Sequence, residues 1–381
     1  MIPILLLGFL LAFLVLALWA AGQVFPSRWA RVVRVFFLLL LVVTVLGLWL
    51  GPKIWVDLLG VPGRLLQAAT ILFVTELLFD VLVLLGWGWE KLCGLRGRSA
   101  LIYSPSRRRL LKHAAAYPLA ALAAGLYGGL YEKDATVERE ILVPVMNLPA
   151  TLRGLRVAQL SDVHLGWFLG LDELKALLER TAAGKPDVLV ITGDLFDNRR
   201  LIRDAAALVD GFVDAFPLGI WYIFGNHEHY RGIDEVRAAL AGTRVHLLDN
   251  EAAVVPGAEP LYFAGVDYPF SKGEKFQQEK AALTKQAFAK IPEGAVTIFL
   301  AHHPEFIDDG AARGAALTLT GHTHGCQFCV FGRPLFPMFK YNRGLVKVGD
   351  STGYVHSGNG SWFPYRIGCP PEIAYFTLRR G

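Results

Sequence analysis

Four apolar stretches crowd the first 131 residues, and they constrain this chain more than any other feature. Residues 1–27, MIPILLLGFLLAFLVLALWAAGQVFPS, carry no charge, and neither do residues 35–52, VFFLLLLVVTVLGLWLGP. Residues 65–89 are charged only at Glu76 and Asp80, and residues 114–131, AAAYPLAALAAGLYGGLY, form a fourth, Ala- and Gly-rich stretch. A helix needs roughly 17–25 mostly apolar residues to cross a bilayer, so about four membrane spans are expected over 1–131. Up to Lys112 there are 12 Lys/Arg against 4 Asp/Glu, a balance of +8; the rest holds 26 against 29, or −3, which together give the net +5. The basic excess therefore belongs to the apolar part, and the remainder offers no basic stripe for nucleic acid.

The basic residues also orient the expected spans. Arg28, Arg31 and Arg34 follow the first stretch; Lys91, Arg96, Arg98, Arg107, Arg108, Arg109 and Lys112 follow the third; the second is followed only by Lys53 and Arg64. Cytoplasmic loops are rich in Lys and Arg, so everything after Tyr131 is expected outside the cytoplasm, in a multi-pass cell-membrane protein. A cleaved signal peptide is the rival reading of the first stretch, which lacks a basic start. SRRRLLKHAAAYPLAALAAG (106–125) resembles a twin-arginine export signal in an internal position; as a basic flank it gives the same topology. Glu76 and Asp80 lie four apart on one helix face. Intramembrane carboxylates are costly enough to be functional candidates, against the plainer reading that they face other helices.

After a polar linker at 132–140 the pattern changes to strands and helices, forming a second domain over 141–381. LRVAQLSDVHLG, PDVLVITGDLFDN, LGIWYIFGNHEHY, AVTIFLAHHPEF and ALTLTGHTHGCQ each read as a buried strand running into a polar loop. Open α/β sheets place ligand sites at such strand ends. One Asp or His after a strand is ordinarily a turn residue. Five such loops, each carrying carboxylate, imidazole or amide oxygen, are a metal site in pieces, suited to Mn, Fe or Zn more than Ca. LVKVGD and IAYFTLRR read as antiparallel or edge strands, so a two-sheet sandwich is expected.

The motifs SDVHLG, GDLFDN, GNHEHY, AHHPEF and GHTHGCQ resemble the calcineurin-like metallophosphoesterase superfamily, particularly its bacterial membrane-associated branch, over about residues 138–381. The closing segment YVHSGNGSWFPYRIGCPPEI is similar to that branch as well. The resemblance implies an α/β protein, a four-layer αββα sandwich behind an N-terminal helical transmembrane region, holding two divalent metal ions. It assigns Asp162, His164 and His324 to one metal and Asn226, His302 and His322 to the other, with Asp194 bridging and His227 as the catalytic, non-ligating histidine. Cys326 departs from the family motif, which has glycine there.

The remaining readings concern substrate. His229, His303 and Arg366 are candidate substrate contacts, Arg366 because guanidinium pairs well with phosphoryl oxygens; His356 is a further one, while His246 reads as structural. Trp167, Phe168, Trp362 and Phe363 line an apolar entrance or pack against loops. Cys326, Cys329 and Cys369 read as small inert residues, with a disulfide or a redox pair as alternatives. The expected activity is metal-activated hydrolysis of a phosphoester, lipid or lipid-linked, beside the bilayer. The alternatives are a broad nucleotide or nucleic-acid phosphodiesterase and a non-catalytic scaffold, the latter opposed by the complete ligand set.

Overall fold

The computed structural model describes residues 13–22, 31–36, 38, 39, 42, 63–95, 106–166, 168–361 and 363–381. The chain falls into two compact units, Met1–Tyr131 and Glu132–Gly381.

In the first unit, a 33-residue helix spans Gly63–Leu95 and a second spans Ser106–Leu126 through Pro118, ending in a π-helical turn at Tyr127–Tyr131. Among the described residues only Gln67–Trp89 is long and apolar enough to cross a membrane; Phe13–Gly22 is a shorter apolar helix. The Gln67–Trp89 helix matches the third expected span; most of the first lies outside the described residues. The second expected span lies almost wholly outside them. The fourth is too weakly apolar to qualify as a span, since alanine, glycine and tyrosine make up most of it. Glu76 and Asp80 are both buried on the long helix.

The second unit is built on two six-stranded sheets. The first sheet runs β1 (Val137–Val145), β14 (Glu372–Arg380), β2 (Arg156–Leu160), β3 (Val188–Thr192), β4 (Ile220–Ile223), β5 (His246–Leu247). The second runs β12 (Gly344–Val348), β13 (Ser351–Val355), β9 (Leu317–Thr320), β8 (Val296–Leu300), β7 (Leu261–Gly265), β6 (Glu251–Val254). The period of two explains the layering. Val188 and Val190 of β3 join Ile298, Leu317 and Phe376 between the sheets. Leu189 and Ile191 point the other way, against α1 (Leu171–Ala183), α2 (Ile202–Asp210) and α4 (Ile233–Ala241); α3 (Asn226–Arg231) lies between the last two. Strands covered on both faces read as unbroken apolar runs, as VLVIT does. On the far side α5 (Glu274–Phe288) and α6 (Phe306–Ala312) cover the second sheet through Ala287, Phe299 and Phe306. The order of layers is helix, sheet, sheet, helix.

Two expectations need correction. Residues 132–140 are not a free linker: after a short turn at Glu132–Asp134, Val137 to Glu140 pair in register with Glu372 to Tyr375. Of the two readings of IAYFTLRR, antiparallel holds and edge does not. It lies between β1, parallel to it, and β2, antiparallel to it, because β1 supplies one more strand from the stretch read as linker. LVKVGD does give an antiparallel edge, β12.

Candidate metal centre

Each site loop leaves the C-terminal end of a parallel strand: β2 leads to Asp162 and His164, β3 to Asp194, β4 to Asn226, β8 to His302 and β9 to His322 and His324. The backbone is bent to aim them. Asp162, His164, Asp194, His322 and His324 all have positive φ, between 50° and 72°. That region is unfavourable for residues with a Cβ, and such strain persists where surrounding structure enforces it. The neighbouring glycines leave the room this needs. A Cβ on Gly193 would fall 2.6 Å from Gly225 N, and one on Gly225 would fall 2.2 Å from Asp194 Oδ1.

The ligand atoms converge as two groups, linked by a third of His164, Asp194 and His227. Asp162, His164 and His324 form one, and Asp194, His302 and His322 another; in each, one donor atom per residue lies within 4.8 Å of the others. Asp194 Oδ2 stands between them, 3.1 Å from His302 Nε2 and 3.8 Å from His164 Nε2. His302 Nδ1 lies 2.7 Å from Thr192 O, so its N–H donates there and Nε2 is the atom turned to the site. That Nε2 makes no hydrogen bond, and neither does the buried Asn226 Oδ1. Orphaned buried acceptors beside two carboxylates and four imidazoles fit a cation set.

The electrostatics point the same way. Burial works to raise Asp194, but His302, His227 and His164 outweigh it and hold the carboxyl well below its usual range. Burial lowers His164 and His302, yet the carboxylates around them raise His164 to about 9 and His302 to about 10. Burial, then neighbouring cationic groups, pushes His322 and His324 well below the ordinary imidazole value, which leaves them neutral donors.

Residues 155–326 match the family model for calcineurin-like phosphoesterases. A metallophosphoesterase of Helicobacter pylori strain J99 is 30% identical over 282 residues, which cover 72% of this chain and 73% of the relative. The chain belongs to the calcineurin-like phosphoesterase family. A metallophosphoesterase from a second H. pylori strain is 32% identical, covering 59% of this chain and 60% of its own. A Danio rerio transmembrane protein with a metallophosphoesterase domain is 30% identical, covering 63% and 57%.

His227, the family's catalytic histidine by resemblance, sits at the edge of the metallophosphoesterase centre. Its Nε2 is 4.0 Å from Asp194 Oδ2, and its backbone N–H donates to Asp194 Oδ1 at 2.8 Å. Sequence reasoning missed its partner. Asp197 Oδ1 lies 2.5 Å from His227 Nδ1, while Asp197 Oδ2 lies 3.2 Å from His164 Nδ1. Burial opposes ionisation of Asp197, but these imidazoles hold it far below the usual carboxylate range. Glu228 was missed too. Its carboxylate accepts from the backbone N–H groups of Asp194, Leu195 and Gly225 and from the Tyr222 hydroxyl, tying the β3 and β4 loops together. Both acids stood in the quoted motifs, three residues after Asp194 and two after Asn226. Tyr268, whose hydroxyl is 3.2 Å from His322 Nε2, carried no signal.

The expected substrate contacts fare differently. Arg366 is corrected: it is fully buried, donating to the backbone oxygens of Ser357, Gly360 and Cys369 and to Ser361 Oγ, with Nη2 3.3 Å from His324 Nδ1. It braces the loop behind the site, because a guanidinium sealed from solvent satisfies its hydrogens on the nearest carbonyls. His303 is also buried, between His322 and Phe339, and burial with His302 and Lys280 nearby lowers it to about 3. His229 is half-buried, its Nε2 2.7 Å from Asp267 Oδ1. His356 is fully buried. Phe168 lines a cavity of ≈ 250 Å³ with Leu169, Asn359 and Ser361, and Phe363 packs on Phe328; Trp167 and Trp362 lie outside the described residues. Cys326, Cys329 and Cys369 are free thiols.

Proposed function

We propose that this chain hydrolyses a phosphoester at a two-metal centre, with Mn, Fe or Zn as the ions. The observation that carries this is Asp194, whose carboxylate stands between two imidazole groups and accepts the His227 backbone N–H. Asp162, His164 and His324 would hold one ion, Asn226, His302 and His322 the other, and Asp194 both. Two bound divalent ions supply positive charge at the phosphoryl oxygens and make water a nucleophile near neutral pH. The chain's own residues do the rest. Asp197 holds His227 Nδ1, so Nε2 faces the centre, placed to give a proton to the departing alkoxide. Glu228 keeps the β3 and β4 loops in register so that Asp194 and His227 stay aligned.

The chain is proposed to be a multi-pass cell-membrane protein with the metal centre outside the cytoplasm. The Gln67–Trp89 helix, the clustered arginines and the transmembrane relatives support this. A phospholipid or lipid-linked phosphate at the bilayer is the proposed substrate, and no nucleic acid. The test is the full chain purified in detergent, its metal counted, and assayed with Mn²⁺ on chromogenic phosphodiester and phosphomonoester. The expected result is two metals per chain, with turnover abolished in Asp194→Asn and His227→Ala. A folded chain without stoichiometric metal overturns the proposal.

A further inference from the structure

The segment leaving the metal centre projects an apolar hairpin. From Gln327 the chain runs into β10 (Cys329–Val330), turns at Phe331–Gly332 and returns as β11 (Arg333–Pro334). Both turn residues have positive φ, 50° and 76°. A two-residue turn of this type favours Asn-Gly, and a bulky aromatic there is an outlier. The phenyl ring gains nothing from the fold in return, since Phe331 is fully exposed. Leu335, Phe336 and Met338, on the following loop, are exposed as well. Contiguous exposed apolar surface of this kind marks an interaction site.

The hairpin is anchored rigidly to the site. Leu335 N donates to Phe328 O and Cys329 N to Ile367 O. Asn342 Oδ1 accepts from Met338 N and Phe339 N, and Asn342 O accepts from Thr323 Oγ1, between the two ligand histidines. Phe339 packs on His322, ring centres 5.2 Å apart. The tip is four residues from Gln327, or ~13 Å of extended chain.

Charge identifies the partner. From Gly321 to Gly349 the chain carries Arg333, Lys340, Arg343 and Lys347 and no acidic residue. Lys340 pairs with Asp308, Arg343 donates to Gly368 O and Lys347 to Thr352 Oγ1; Arg333, next to the turn, is the exposed cation among the described residues of β10 and β11. Apolar side chains beside basic ones seat at the headgroup boundary of anionic membranes, ~5–10 Å deep. The same chain carries a helix able to cross a bilayer. We propose that the hairpin around Phe331, with Phe336 and Met338, inserts into an anionic phospholipid surface and so holds the metal centre against lipid phosphoesters. This rests on the phosphoesterase reading and deepens it by naming the membrane surface as the place where substrate is met.

The test uses the full chain in proteoliposomes, with p-benzoylphenylalanine in place of Phe331 or, as the control, in place of the exposed Val254 on β6. After irradiation, mass spectrometry of the peptides is expected to show phospholipid adducts at position 331 and none at 254. In vesicles containing phosphatidylglycerol the yield should exceed that in pure phosphatidylcholine at least about threefold. No adduct at 331, equal adducts at both positions, equal yield in both lipids, or a protein–protein adduct to a second copy each overturns the proposal. Turnover of a soluble chromogenic phosphodiester by the same samples is read separately. Its absence with lipid adducts intact overturns the phosphoesterase reading, whereas turnover without adducts overturns only the insertion.

Discussion

The two halves of the metal centre are built alike and finished differently. Around Asp162, His164 and His324 the side chains are buried and braced from behind, by Asp197 on His164 and by Arg366 beside His324. Around Asn226, His302 and His322 the walls are aromatic: Tyr268 and Phe339 flank His322, and Phe270 lies beyond Tyr268 in partial exposure. His302 is braced too, through its Nδ1 on Thr192 O, so the difference between the halves lies in the rings around His322.

Asp194 is common to both halves, so Asp194→Asn tests whether they are coupled. Loss of both metals and at least ~10³-fold in turnover is expected, checked by metal analysis and assay; loss of one metal alone would show the halves to be independent. His227→Ala belongs to neither ligand set. It should retain both metals and lose ~10²–10⁴-fold in turnover, and Asp197→Asn should show the same loss together with weaker metal binding through His164.

Arg366→Met strikes the first half from behind. It strands several buried carbonyls, each worth ~1–3 kcal/mol, so the melting temperature should fall with metal affinity following; a variant with unchanged melting but failed substrate binding would restore Arg366 as a phosphate contact. Tyr268→Phe probes the second half and is expected to cost least, ~10-fold or less, without metal loss.

Acidity divides the two halves alike in chelator-treated protein, one imidazole of each being raised and the other lowered. His164 and His302 have folded-state values raised to about 9 and about 10. Their contribution is complete below the unfolded imidazole value and is lost as pH rises through 9 to 10. His322 and His324 are lowered, so theirs is present above the unfolded value and lost as pH falls below it. Metal-free chain should melt highest near about pH 6.5 and decline towards pH 9 to 10, and saturating Mn²⁺ should remove the alkaline decline.

How much of this was legible in the residues differs by element. VLVIT and the strands like it announced buried β-structure, because a strand covered on both faces must be apolar throughout. Ligand identities were legible for a related reason: metal donors have a restricted chemistry, and strand ends are where loops of one polarity collect. Glu132 to Glu140 misled because an edge strand such as β1, half exposed, needs few apolar residues and looks like a linker. Arg366 misled because its chemistry is equally suited to phosphate and to backbone carbonyls, and only packing tells which is within reach.

The sequence by itself determined which side chains are candidate metal donors, the alternation of strand and helix, and the separation of an apolar unit from a globular one. These follow from composition and period, which act over a few neighbouring residues. Only the tertiary structure decided that Asp197 serves His227 and His164 at once, that Glu228 ties two loops, that Arg366 is sealed inside, and that Tyr268 meets His322. Each of those depends on distances between residues 30 to 54 positions apart, and no local rule of polarity or spacing sets such distances.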